Sequence, residues 1–181
     1  MAYLLRTLLL IMLAALILTI GTAHGFWSIG FSHIELAIPT FIFTLFVQAF
    51  VMFYFIGVNR LTENVYNALQ SPESLHELFD HPPEDLAPYK EKSAQFVRQT
   101  QTAKRQTLSW TLLIIVLGTL GFLLGGAHDT GLVAKTVHSG VIYGFSLAVL
   151  IGFARQWFYL GKTHLYLRQL KGLFSISDDA M

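Results

Sequence analysis

Along this chain polar and apolar residues come in long blocks instead of alternating at short intervals. Four blocks are almost wholly apolar: residues 7–22, 36–58, 108–125 and 141–153, the last extending through Trp157-Phe158-Tyr159. Each is near the ~20 residues that a helix needs to cross a bilayer. None shows the two-residue alternation of a barrel strand. In hydrocarbon every backbone N–H and C=O needs an internal partner, so such blocks predict transmembrane helices. The expected fold class is all-α, a membrane protein with four transmembrane helices.

The polar blocks between them predict helical extensions. Residues 1–58 read as a first transmembrane hairpin and 108–161 as a second. Residues 59–107 form an insert between the hairpins, and 162–181 a C-terminal segment. Within the insert Leu61, Val65 and Leu69 recur at helical spacing, and residues 90–106 are rich in helix formers. Ser71-Pro72-Glu73-Ser74 marks a break with a fresh cap, and His81-Pro82-Pro83 and Ala87-Pro88 mark a turn. The insert is too small for an independent core. Residues 175–181 read as a frayed polar tail, and Pro39 as a first-turn proline.

The two hairpins resemble each other. Gly21-Thr22-Ala23-His24 ends the first apolar block and Gly125-Gly126-Ala127-His128 the third. His33 and His138 open the next blocks, which close on Phe53-Tyr54 and Phe158-Tyr159 at equal distances (53 − 33 = 20; 158 − 138 = 20). The pattern predicts tandem parallel repeats related by an axis along the membrane normal. Arg6 with Gly21-Thr22-Ala23 has the outline of a signal peptide. Its part in the repeat predicts instead a retained span.

Charge adds orientation. Of the 181 residues 54% are hydrophobic and 13% charged, with net charge +1, against roughly 25% charged in soluble domains. Lysines and arginines gather in the insert, after the fourth block and at Arg6, while the two short connections hold only Lys135. Both termini and the insert are expected on the cytoplasmic side. The even balance predicts no nucleic-acid partner. The absence of cysteine excludes disulfides and thiolate metal centres.

The candidate chemistry lies at the outer face, where His24, His33, Glu35, His128, Asp129 and His138 stand at the ends of the blocks. Imidazole and carboxylate suit a transition-metal ion such as Zn, Cu or Fe, with Glu35 or Asp129 ligating or orienting an imidazole. A b-type haem with an axial histidine from each hairpin is the weaker expectation. Phe26, Phe31, Phe122 and Phe145 would line its slot, but the histidines lie at the water boundary. A purely structural role is also open, with His24 and His128 capping helix ends and His138 bonded to Asp129. Gln48 reads as a helix–helix hydrogen bond, and His76 and His81 as part of a solvated acidic loop. No phosphate loop, His-Glu-x-x-His or nucleophile elbow is present.

Met52-Phe53-Tyr54-Phe55-Ile56-Gly57 and Gly125-Gly126-Ala127-His128-Asp129-Thr130-Gly131 through Val137-His138 resemble a family of small bacterial four-helix inner-membrane proteins. The resemblance implies a multi-pass inner-membrane location and carries no activity. That family has a histidine in the second span where this chain has Gln48. Two functions follow as expectations. One is a metal or haem site for metal handling or electron transfer. The other is a cofactor-free structural or accessory subunit, partnered by other membrane subunits or by copies of itself in the lipid bilayer.

Overall fold

The computed structural model describes residues 1–27, 30–79 and 82–174, and among them every regular element is helical. Helix α1 spans Ala2–Ala23, α2 His33–Ala68, α3 Ala87–Asp129 and α4 Lys135–Leu173, with a 3₁₀ turn at Pro72–Glu77. The expectations for His81 and for residues 175–181 lie outside the described residues. All four long helices are apolar enough and long enough to cross a membrane. Three of them, at 36, 43 and 39 residues, are far longer than the ~20 residues a bilayer requires. The apolar blocks and the helical extensions therefore belong to the same continuous helices.

The helix starts explain one difference from the sequence reading. Ser32 caps α2, its hydroxyl accepting from the Glu35 N–H while the Glu35 carboxylate accepts from the Ser32 N–H. This capping box starts the helix at His33. Pro39 is consequently the seventh helical residue, in the second turn and not the first, and it leaves the Glu35 carbonyl without its helical donor.

Both connecting turns use the same device. Helix α1 ends with Gly25 N–H on the Thr22 carbonyl and Phe26 N–H on the Gly21 carbonyl. Helix α3 ends with Gly131 N–H on His128 and Leu132 N–H on Ala127. Each is a Schellman motif, and it requires the left-handed backbone that Gly25 (φ 73°) and Gly131 (φ 76°) adopt.

The helices pack in cyclic order, each against the next, and α1 closes on α4. Across the centre α2 meets α4. Buried positions recur at spacings of three and four. On α3 they are Phe96, Thr100, Ala103, Thr107, Thr111, Ile114, Gly118 and Gly121, the spacing of shallow-angle bundle packing. Gly118, Gly121 and Gly125 let α3 approach α4 closely. An added Cβ would meet Phe145 at 3.0 Å, Ile142 at 2.8 Å and His138 at 3.2 Å respectively.

The middle of the interior is polar. Gln48 on α2 and Gln156 on α4 are 0% exposed and exchange hydrogen bonds, Gln156 Nε2 to Gln48 Oε1 at 2.7 Å and the reverse at 3.4 Å. Gln156 also donates to Thr111 Oγ1 at 2.9 Å, and Gln48 to Met12 Sδ at 3.5 Å. The four side chains come from all four helices. Hydroxyl pairs continue the seam: Thr19–Thr40, Tyr54–Thr163 and Thr62–Thr100.

Beyond this bundle, a second core joins Leu69, Phe96, Leu170 and Phe174, with Phe79 and Tyr89 packed on it. The insert thus borrows the end of α4 to bury its apolar side chains. We refer to this as the lobe end and to the two hairpin turns as the turn end.

Replacing Gln156 by leucine strands the Gln48 amide and the Thr111 hydroxyl and should lower stability by about 1–2 kcal/mol. The Gln48→Leu/Gln156→Leu double variant, which removes both amides, should lose less than the two single variants together. Thermal unfolding in mild detergent measures the cycle. Additivity within about 0.3 kcal/mol would show that the two amides are not coupled.

Candidate functional site

At the turn end each histidine is placed by a helix terminus. The glycine caps register α1 and α3 at an offset of 106 (131 − 25), whereas the histidines are offset by 104 (128 − 24). His24 is therefore the C-cap residue of α1, while His128 sits two positions inside α3. At the other two ends His33 is the first residue of α2 and His138 the fourth of α4. The two differ by about one helical turn, ~4.5 Å along the axis.

These small shifts decide which side chains meet. His128 and His138 face each other with ring centroids 6.1 Å apart and planes 13° from parallel. His128 Nδ1 lies 3.1 Å from the Val133 carbonyl, so that nitrogen carries the proton and Nε2 is the free acceptor. His138 rests on Gly125, and its Nδ1 is buried with no hydrogen-bond partner. His24 instead stacks on Phe26 and on Tyr143 of α4, with centroids at 5.8 and 6.3 Å. His33 is exposed, as is Asp129.

Electrostatics ties part of the group together. Burial, and then the neighbouring His128, push the His138 imidazole below its ordinary value of 6.5. Asp129 opposes that shift, and His33 adds slightly to it. Glu35 is committed elsewhere. Its Oε2 accepts from the Ser32 N–H at 2.7 Å and from the Ser32 hydroxyl at 2.9 Å. Those bonds, the backbone one first, hold its carboxyl below the ordinary carboxylate range.

Of the six predicted ligands, the fold thus brings His128 and His138 into contact, with Asp129 and His33 close enough to act on His138 by charge. His24 and Glu35 have other partners. Among the described residues no three His, Asp or Glu side chains converge closely enough to hold a metal ion. The four phenylalanines occupy separate environments. Phe26 and Phe31 are exposed in the first turn, Phe122 stacks on Phe41 at 4.7 Å, and Phe145 is buried against Gly118.

Sequence reasoning overlooked two elements. Ser32-x-x-Glu35 is a readable capping box, masked by treating Glu35 as a ligand. Gln156 lies within the apolar stripe of its helix, four residues from both Gly152 and Leu160, and that position marks it as interior. Comparison of the chain with protein-family models, with curated proteins and with solved structures finds no match.

The depressed His138 proton affinity sets a pH dependence. Above pH 6.5 the ring is neutral in the folded and unfolded chain and contributes nothing. As the pH falls through 6.5 the unfolded chain takes up the proton first, and folded stability is lost until the folded ring also titrates. Thermal unfolding between about pH 5 and 8 should show a falling midpoint on the acid side. The slope should flatten in His138→Gln. An unchanged slope in that variant would remove His138 as the source.

Proposed function

We propose that this chain is a four-span integral protein of the bacterial inner membrane that serves as a non-catalytic structural or accessory subunit of a larger membrane complex. The observation that carries the reading is the combination of apolar belt and closed interior. All four helices turn large apolar side chains outward, among them Ile11, Phe46, Phe53, Val116, Leu123 and Leu147. Inside, Gln48, Gln156 and Thr111 consume one another's hydrogen-bonding capacity. Such a bundle offers its distinctive surfaces to neighbours in the bilayer and at its two ends.

Charge supports the orientation. Eleven of the twelve lysines and arginines (12 − 1, Lys135 being the exception) lie toward the lobe end. Lysine and arginine stay on the cytoplasmic side, so both termini and residues 59–107 face the cytoplasm and the turns face outward. The two hairpins then enter from the same side as parallel repeats, and their matching glycine caps support a common origin.

One observation favours a second reading, in which the turn end handles a small metal ion. The bare Nδ1 of His138 and the free Nε2 of His128 are the two imidazole donors that fold together. Zn, Cu or Fe suits them, and Asp129 and His33 are the nearest groups to complete a coordination shell. A b-type haem is less suited, because the phenylalanines named for its slot are dispersed.

Two measurements test these readings. In intact cells single cysteines at Phe31 and Thr136 should react with an impermeant thiol reagent, and one at Gln101 only after permeabilisation. Reaction of Gln101→Cys from outside, or silence at both turns, would overturn the topology. Protein purified in mild detergent should carry neither stoichiometric metal nor a Soret band. Stoichiometric zinc, copper or iron that disappears in His138→Ala would replace the accessory reading with the metal reading.

A further inference from the structure

At the lobe end of the bundle, on the seam where α1 closes against α4, lies a groove of about 430 Å³. Its walls are unusual in charge. Arg6 comes from α1, and Lys162 and His164 come from α4. Neither helix contains an aspartate or glutamate anywhere in its length. Arg6 and Lys162 therefore lack a carboxylate partner on the two helices that form the groove. Two positive charges lining one groove repel each other, and an anion between them relieves that repulsion.

Arg6 is held in place, not dangling. One terminal nitrogen, Nη2, donates to the Trp157 carbonyl at 3.1 Å, and the guanidinium lies 4.8 Å from the Trp157 ring centroid. Gly161 makes that approach possible, because a Cβ there would strike Nη2. The Nε of the same side chain is buried with no partner. Lys162 projects over the Phe158 ring at 5.5 Å, and His164 meets Tyr3 edge-on at 5.2 Å. The basic groups are thus positioned by aromatic neighbours and by α4's own backbone, with donor capacity left over.

The surroundings select the kind of anion. Phe158 and Leu165, in the lining of the groove, stand more than half exposed. A free phosphate would occupy the cations and leave those apolar side chains uncovered. A phospholipid matches both parts, its phosphodiester on the cations and its acyl chains along the apolar flank. Basic pockets between spans near the cytoplasmic surface are suited to anionic headgroups. We infer that the α1–α4 groove is a binding site for an anionic phospholipid headgroup, with Arg6 and Lys162 contacting the phosphodiester. The inference rests on the membrane reading given above.

Zwitterionic lipids carry a cation of their own, so selectivity for net negative headgroups is the expected signature. Native mass spectrometry of the full chain in mild detergent, with added phosphatidylglycerol or phosphatidylcholine, reads it directly. Phosphatidylglycerol should be retained several-fold more than phosphatidylcholine. Lys162 is exposed, so Lys162→Gln should fold normally and reduce phosphatidylglycerol retention about fivefold. Lys135→Gln, at the turn end, should have no effect. Arg6→Lys, which keeps the charge but loses the fork of donors, should fall between wild type and Lys162→Gln.

Equal retention of the two lipids, or equal losses in Lys162→Gln and Lys135→Gln, would overturn the site. So would displacement of the lipid by an equimolar amount of inorganic phosphate, which would mark a phosphate site instead. The membrane reading fails separately, if the chain partitions into the aqueous phase without detergent. A chain that needs detergent yet shows no headgroup preference would remove the groove assignment alone.

Discussion

A side-chain amide inside an apolar bundle must find its hydrogen bonds within the bundle, and Gln48 and Gln156 find them chiefly in each other. That constraint fixes more than one contact. The pair lies on the α2–α4 diagonal, and the same amides reach Thr111 on α3 and Met12 on α1. Sliding α4 by one residue would move Gln156 by ~1.5 Å and rotate it by about 100°, which would break the reciprocal bonds. Apolar packing alone is more tolerant, since Leu9, Val51, Ile114 and Val149 would still find apolar neighbours after a small slip. The amides thus supply register and the apolar stripes supply area. Threonines elsewhere in the interior constrain less. Thr44 and Thr107 each donate to a carbonyl of their own helix, so each satisfies its hydroxyl locally.

With register set in the middle, the two ends follow from different local chemistry. At the turn end both α1 and α3 stop on a glycine in left-handed backbone, and the chain reverses over a few residues. At the lobe end α2, α3 and α4 continue beyond the bundle and close a second core around Phe96, Leu170 and Phe174. Helix α1 has no counterpart there. Its first turns bury Ala2 and Leu5 and place Arg6 against Trp157 of α4.

Much of this architecture was legible in the sequence. Four apolar blocks gave four helices because a long uninterrupted apolar run has few alternatives to helix. The close approach of α3 to α4 was visible in Gly121 and Gly125, and the interior role of Gln48 in its isolation among apolar neighbours. The arrangement of the histidines was less legible. Equal spacing along the chain, such as 33 to 53 and 138 to 158, says nothing about where a helix begins. Ser32 starts α2 at His33, while α4 begins at Lys135, three residues before His138. A shift of three residues moves a side chain by most of a turn, and a shift of two, as between His24 and His128 relative to their glycine caps, turns it to another face. Side chains that the text aligns then point to different neighbours, His24 to Tyr143 and His128 to His138. Glu35 shows the same effect in another form. As a carboxylate beside a histidine it resembles a ligand, but a serine three residues earlier claims it for the helix terminus.

The separation of the ends also limits how they can influence one another. Between the imidazole pair and the cationic groove lies an interior in which Val51, Met12, Ile114 and Val149 are fully buried around the amide network. No titratable side chain is among those central residues. The α1–α4 seam is the least extensive of the four interfaces between successive helices around the bundle. An anion held between Arg6 and Lys162, as inferred above, would bridge that seam from both sides. His24, at the far end of α1, meets Tyr143 on α4 across the same seam. The groove and the ring contact at the turn end thus lie at opposite ends of one seam, the α1–α4 interface.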